Sequence, residues 1–292
     1  MVSSSEAITN KNSTFTADLL NQTLQGAKSK YLDSISLTIS ALQNGGTAVT
    51  MANLIGLINR VTVSVAGTVE ADLSQTDLYA LNQLWLSNTP RTKVGAGDNQ
   101  QCIISGLQMP LWFPAVANET QVSFYYSAVT NADNTTISAT ANYQGSIPRN
   151  TALHYTKYSQ NTSGVDSSSL GNWDHQFQAL GNISGVMFNM STIAGGSTLI
   201  ADSGLQQVGI EIDGVNNVLL YEVNELTSLR NVYTGQLNTS LEDSPGSTAI
   251  LDNYFWLPIA EHIPKNANVR INGMAGVNAE TVSDIVIQQI PY

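Results

Sequence analysis

The sequence predicts an all-β protein built from two tandem β-sandwiches with short flanking helices. Three observations point there. Apolar and polar residues alternate at period two in many short segments, the signature of half-buried strands. Charged residues make up 11% of the chain against 42% hydrophobic; about 25% charged is usual, and helical bundles need Glu, Lys and Arg on their exposed faces. Ser, Thr, Asn, Gln and Gly take the place of charge, which suits short strands joined by polar turns. Finally, the features of the first half return in the same order in the second, displaced by close to half of the 292 residues.

Along the chain, residues 1–14 are polar. Residues 15–27 read as a short helix, because Ala17, Leu20, Leu24 and Ala27 form one stripe, Thr14 or Thr16 offers a cap, and Lys28 and Lys30 sit where a helix dipole favours them. Such a helix packs against its own domain or a neighbour, or lies on a membrane or an inner surface. From Ser34 the period becomes two: Ile35, Leu37 and Ile39 alternate with Ser and Thr. Val61, Val63 and Val65 give a second strand, ending at an Ala66-Gly67 turn, and Leu78, Leu81 and Trp85 follow at helical spacing. Residues 86–108 read as a long loop. Leu111-Trp112-Phe113 is an apolar strand ended by Pro114. Val122, Phe124 and Tyr126 alternate again, and Ile137 to Tyr143 makes one more strand. Residues 146–175, with Gly, Pro and a Ser run, read as a connector.

After the connector the order repeats. Ile58 to Gly67 corresponds to Leu205 to Gly214 at a displacement of 147. Leu78 to Trp85 corresponds to Leu226 to Tyr233 at 148, and Leu111 to Pro114 to Phe255 to Pro258 at 144. Val122 answers Val269 at 147 and Ile137 answers Ile285 at 148; a second long loop falls at 234–250. The resulting domains are an N-terminal arm with a short helix (1–30), a first sandwich (31–145), a connector (146–175) and a second sandwich (176–292). Each half holds enough apolar runs to close its own core.

Two such halves, with Val61–Gly67 before Leu78–Trp85 and Val208–Gly214 before Leu226–Tyr233, resemble the double jelly-roll major capsid proteins of tailless icosahedral double-stranded-DNA viruses. These include the tectivirus-, corticovirus- and adenovirus-like coat lineage, and the resemblance implies a bacterial or archaeal host. The resemblance implies two eight-stranded jelly rolls and a coat protein, not an enzyme, in the virion shell. It further implies homotrimers of six-sided outline that meet neighbouring trimers, minor capsid proteins and vertex proteins. The N-terminal segment, residues 1–30, would face inward, towards an internal membrane in some relatives. A two-sandwich carbohydrate-binding protein is the alternative.

Charge and motifs fit a structural role. The formal net charge is −11, with only 11 Lys and Arg, scattered. That argues against direct genome binding, which needs a concentrated basic surface. The single cysteine, Cys102 in a Gln-Cys-Ile-Ile context, excludes an intrachain disulfide and reads as a small buried hydrophobe. The first thirty residues lack the apolar core of a signal peptide, and no apolar run spans a bilayer, so synthesis in a host cytoplasm is expected. His154, His175 and His262 lack zinc-site spacing and read as ordinary surface or loop histidines. No nucleophile elbow or phosphate loop occurs, and Gly181 to Gly185 lacks the Lys-Ser/Thr that a phosphate loop needs. No catalytic, cofactor-binding or metal residue is therefore assigned. Acid clusters at Glu70–Asp72, Glu222–Glu225 and Glu242–Asp243 read as solvated faces or, with loop carbonyls, a calcium site. The segments Trp112-Phe113 and Tyr254-Phe255-Trp256 read as core packing or as a sugar-binding groove. Asn-x-Ser/Thr triplets at Asn12, Asn21, Asn118, Asn134, Asn161, Asn182, Asn189 and Asn238 do not by themselves establish glycosylation.

Overall fold

A computed structural model describes residues 3–13, 18–26, 30–43, 54, 57–86, 88, 91–93, 101–114, 119–127, 132–144, 150–161, 171–192, 205–222, 254–259, 262–275 and 279–291. The chain divides into two compact units, residues 3–154 and 155–291 among those described.

The first unit contains β1 (Ser3–Ser13), β2 (Asp18–Thr23), β3 (Tyr31–Gln43), β4 (Ile58–Val65) and β5 (Thr68–Leu73). Helix α1 (Gln75–Leu84) follows, then β6 (Arg91–Lys93), β7 (Gln101–Phe113), β8 (Thr120–Tyr126) and β9 (Ala132–Gln144). The second contains β10 (Thr151–Asn161), within which the division falls, β11 (Gly171–Gln178), β12 (Asn182–Thr192) and β13 (Leu205–Ile212). Then come β14 (Val215–Glu222), β15 (Tyr254–Pro258), β16 (Asn268–Ala275) and β17 (Ala279–Pro291).

The sheets run β1-β9-β3-β7-β6 and β2-β8-β4-β5 in the first unit, and β10-β17-β12-β15 and β11-β16-β13-β14 in the second. Among the described residues, and setting aside the short β6, each unit shows eight strands in the same order. The first, eighth, third and sixth form one sheet, and the second, seventh, fourth and fifth form the other. That interleaving is the jelly roll, and it is present twice. Strands β9 and β17 are both 13 residues long and begin 147 residues apart, at 132 and 279.

Local chemistry explains the shared hairpin. In β4–β5 the two loop residues, Ala66 and Gly67, have φ of 52° and 84°; in β13–β14 Asp213 and Gly214 have 50° and 76°. Two positive φ values make the type I′ turn, whose twist matches that of the strands. Helix α1 starts on a capping box: Ser74 Oγ accepts from the Asp77 N–H, and Asp77 Oδ2 accepts from the Ser74 N–H. Gln75, buried, donates to the Leu54 carbonyl and accepts from the Ile58 N–H. Asn82 treats the edge of β7 as a strand would. Its Oδ1 accepts from the Gln108 N–H at 2.9 Å, and its Nδ2 donates to the Gln108 carbonyl at 2.8 Å.

The alternating residues are buried as their spacing predicts: Ile35, Leu37, Ile39, Val61, Val63, Val122 and Phe124 are at most 1% exposed. In the second unit one core joins both sheets. Val186, Phe188, Leu257, Val282 and Val286 come from one sheet, and Val208, Ile210, Val269 and Ile271 from the other. Among the described residues no helix is long and apolar enough to cross a membrane.

Several expectations are corrected. Residues 18–23 are not helical: β2 pairs with β8 from Asp18↔Tyr126 to Thr23↔Gln121. A short stripe in a segment rich in Thr, Asn and Gln is a weak helix, and ladder pairing outcompetes it. The segment taken as an arm thus supplies β1 and β2, the first two strands of the first roll. Likewise the presumed connector, 146–175, holds β10 and the start of β11. The loop assigned to 86–108 contains β6, which pairs Arg91↔Ser105 to Lys93↔Ile103, and the first part of β7. Gly106, at φ +82°, interrupts the alternation there and sits where the β3–β7 register shifts, as in a glycine bulge. The second helix (226–233) and second long loop (234–250) lie outside the described residues. Cys102 lies in β7 opposite Ala41, its side chain outside the described ones.

Candidate functional site: charged clusters and outer sheet faces

Among the described residues, Arg60 on the β2-β8-β4-β5 sheet and Arg270 on the β11-β16-β13-β14 sheet each meet carboxylates of their own sheet. On β11, period two sends Asp174, Gln176 and Gln178 away from the core and His175 and Phe177 towards it. On the outer face Arg270 of β16 is the hub. Its Nε donates to Asp174 Oδ1 at 2.8 Å and its Nη1 to Glu211 Oε2 at 3.3 Å. Asn272 donates to the other oxygen of Glu211, and Gln176 to the other oxygen of Asp174. The hydrogen bond from Arg270 is the main cause that lowers the Asp174 carboxyl below its ordinary range, and Asp174 in turn raises the Arg270 guanidinium. Beside this ladder lies a cleft of about 400 Å³, bounded by Gln178, Glu211, Gly214, Asn268 and Arg270.

The matching face of the first roll has different residues. Arg60 holds Asp72 through two hydrogen bonds, from Nε at 2.7 Å and Nη2 at 2.5 Å, and lies 5.4 Å from the Tyr125 ring centroid. Glu70, two residues from Asp72, binds His154 Nδ1 instead, at 2.8 Å. The Glu70–Asp72 cluster is therefore split between two partners, His154 and Arg60, and does not converge. The Glu222 side chain, Glu225, Glu242 and Asp243 lie outside the described residues. Among the described residues no group of three or more His, Cys, Asp or Glu is placed to hold a metal ion.

The histidines need correction. His262 is exposed, but His154 is half-buried and His175 is 5% exposed in the core. His175 Nδ1 lies 2.8 Å and 3.0 Å from the two carboxylate oxygens of Asp284, which is fully buried. Burial raises the Asp284 carboxyl above its ordinary range, and the His175 hydrogen bond opposes that rise. Period-two alternation through Trp173, His175 and Phe177 signals that His175 faces inward. Its partner, 109 residues away on another sheet, leaves no local trace.

Most described side chains of the aromatic segments pack inward. Phe113, Tyr254 and Trp256 are at most 5% exposed, and Trp112 is half-buried at φ +55°. A sugar-binding groove needs open aromatic faces, which these buried rings do not offer. Gly185 faces Trp256 so closely that a methyl group there would overlap the indole. Of the Asn-x-Ser/Thr sites, Asn189 donates its amide to Tyr254 Oη at 2.9 Å, whereas Asn182 is exposed. Asn12, Asn21, Asn134 and Asn161 fall in strands, and Asn118 and Asn238 lie outside the described residues.

No family model matches the sequence, and no curated protein matches it. Solved structures do match, over their full length. The STIV MCP superposes with a TM-score of 0.74 at 11% identity, covering 100% of this chain and 97% of that one. The PBCV-1 virus capsid gives 0.62 at 11% identity, covering 99% and 93%. The major capsid protein P2 of bacteriophage PM2 gives 0.58 at 13% identity, covering 100% and 98%. Both rolls and their order along the chain are common to all three, so the fold is the double jelly roll.

Proposed function

We propose that this double jelly roll is a structural coat protein of a viral capsid. The observation that carries the proposal is the end-to-end match: chain and capsid protein cover one another almost completely, rather than sharing one sandwich. A lone sandwich serves many functions, and fold alone does not choose among them. Two complete rolls in one chain, with only 11% charged residues, support a tile that meets its neighbours on broad polar faces.

In this reading the chain forms homotrimers of pseudo-hexagonal outline that tile an icosahedral shell. Their partners are neighbouring trimers and minor capsid and vertex proteins, and their place is the virion, after synthesis in the host cytoplasm. The role is structural and not enzymatic. A membrane contact through a helix at residues 1–30 is not part of it, since β1 and β2 use those residues within the first roll. Neutral hydrogen bonds from Asn, Gln, Ser and Thr avoid the desolvation cost of buried charge, so assembly should tolerate salt. Light scattering on the purified chain tests the proposal. A mass near three times 31.2 kDa, unchanged between low and about 0.5 M salt, supports it, whereas a monomer at every concentration contradicts it.

A further inference from the structure

In the second roll Arg270 bonds to Asp174 and Glu211, Gln289 to Ser184, and Asn189 to Tyr254, each within one sheet. The bond between His175 and Asp284 crosses instead, since β11 belongs to one sheet and β17 to the other. Both side chains lie in the core, Asp284 fully buried and His175 5% exposed. His175 Nδ1 reaches both carboxylate oxygens, at 2.8 Å and 3.0 Å.

The core around the pair is apolar and chemically uniform. Across β12, Phe188 is opposite Asp284, and Val282 and Val286 flank it on the same face of β17. On the other sheet Val208, Ile210, Val269 and Ile271 line the core, with Ile271 opposite His175. Tyr158 stacks on the imidazole at 4.4 Å and 13°, and Phe177 lies 4.8 Å away. Two faces of branched aliphatic side chains attract through many shallow contacts, none of which demands a single offset. Cores that are only apolar and of the right volume lose uniqueness before they lose stability. A hydrogen bond discriminates more sharply, because it weakens steeply outside a narrow range of distance and angle. Were the sheets to slide past one another, Asp284 would become a buried carboxylate without its partner, which is strongly disfavoured. Stability alone does not account for the pair, since a buried ion pair seldom stabilises more than apolar residues of similar volume.

We propose that the His175–Asp284 bond is a pin that fixes the offset at which the two sheets of the second roll close. It selects one closure among packings that the Val and Ile faces alone leave close in energy. This role is independent of the coat reading.

The test uses the full-length protein, with methyl NMR spectra of its Ile and Val residues and urea unfolding as readouts. His175→Leu/Asp284→Val replaces the pair by two apolar residues near it in volume. The unfolding equilibrium constant of that variant should stay within about tenfold of the wild type's or fall below it. The Val186, Ile271, Val282 and Val286 methyls should nonetheless split into two or more sets or broaden by exchange, while Ile35, Val61 and Val63 of the first roll keep one sharp set. Two controls should keep one set throughout. Asp284→Asn retains an oxygen within reach of His175, and Ile271→Val loosens the same core but retains the pair. One sharp set everywhere in the double variant overturns the proposal. So does an unfolding constant raised far beyond tenfold, or failure to fold, because the pair then acts through stability. Splitting in either control overturns it too, because something other than the lost bond is then the cause.

Discussion

Replacing Ala66 by Asn is expected to stabilise the first roll by about 1 kcal/mol, because Ala66 occupies a left-handed conformation that its β-carbon disfavours. Its φ is 52°, followed by Gly67 at 84°. An L-residue in that region costs roughly 1–2 kcal/mol, and Asn tolerates it best among non-glycine residues. Ala66 is exposed, so the larger side chain meets no packing penalty. The backbone bond from the Ala66 N–H to the Glu119 carbonyl, 3.0 Å, is kept. The second roll already has a suitable residue. Asp213, at φ 50°, also accepts from the Asn268 N–H through Oδ1 at 2.9 Å. Asp213→Ala should therefore cost about 2 kcal/mol, roughly 1 from the backbone and roughly 1 from the lost hydrogen bond. Calorimetry reads both changes. For units of this size about 1 kcal/mol moves a transition by roughly 3 °C, so Ala66→Asn should raise the first roll's midpoint by about 3 °C and Asp213→Ala should lower the second's by about 6 °C. If Ala66→Asn is neutral or harmful, or Asp213→Ala is harmless, the two turns are not equivalent and the reasoning fails.

Asn82→Ala removes both side-chain bonds to the Gln108 backbone and should cost about 2–4 kcal/mol, with hydrogen exchange of β7 accelerating most. Gly185→Ala drives a methyl group into Trp256 and should destabilise the second roll by roughly 1–3 kcal/mol, read as a lower urea midpoint at constant slope. The lowered Asp174 carboxyl contributes stability that is present above the ordinary carboxylate pKa and is lost as pH falls through the lowered value. Arg270→Met should flatten that acid limb in low salt, and the wild-type effect should shrink in about 1 M salt, because both side chains are part-exposed.

The central strands were legible and the edge strands were not, for a physical reason. β3, β4 and β8 have neighbours on both sides and bury one full face, so Ile35-x-Leu37-x-Ile39 and Val61-x-Val63 must alternate. Among the described residues, β1, β2, β10 and β11 each lie at a sheet edge and pair on one side only. Ser3–Ser13 is almost wholly polar, and the adjacent leucines of Asp18–Thr23 fit either a strand or a helix. The repeat is therefore legible from Ile58 and Leu205 onwards, although each roll begins earlier, with β1 and β2 in the first and β10 and β11 in the second. The hairpin displacement of 147 was readable, because a twisted two-residue turn needs particular residues. The His175–Asp284 contact was not, because burial and partner are both consequences of how the two sheets close.

Electron cryomicroscopy of assembled particles tests the account most directly. The account predicts hexagon-outlined capsomers, each built from three copies of this chain with six jelly rolls fitting the density. Density in which each capsomer holds another number of copies, or a shell into which the two rolls cannot both be fitted, would contradict it.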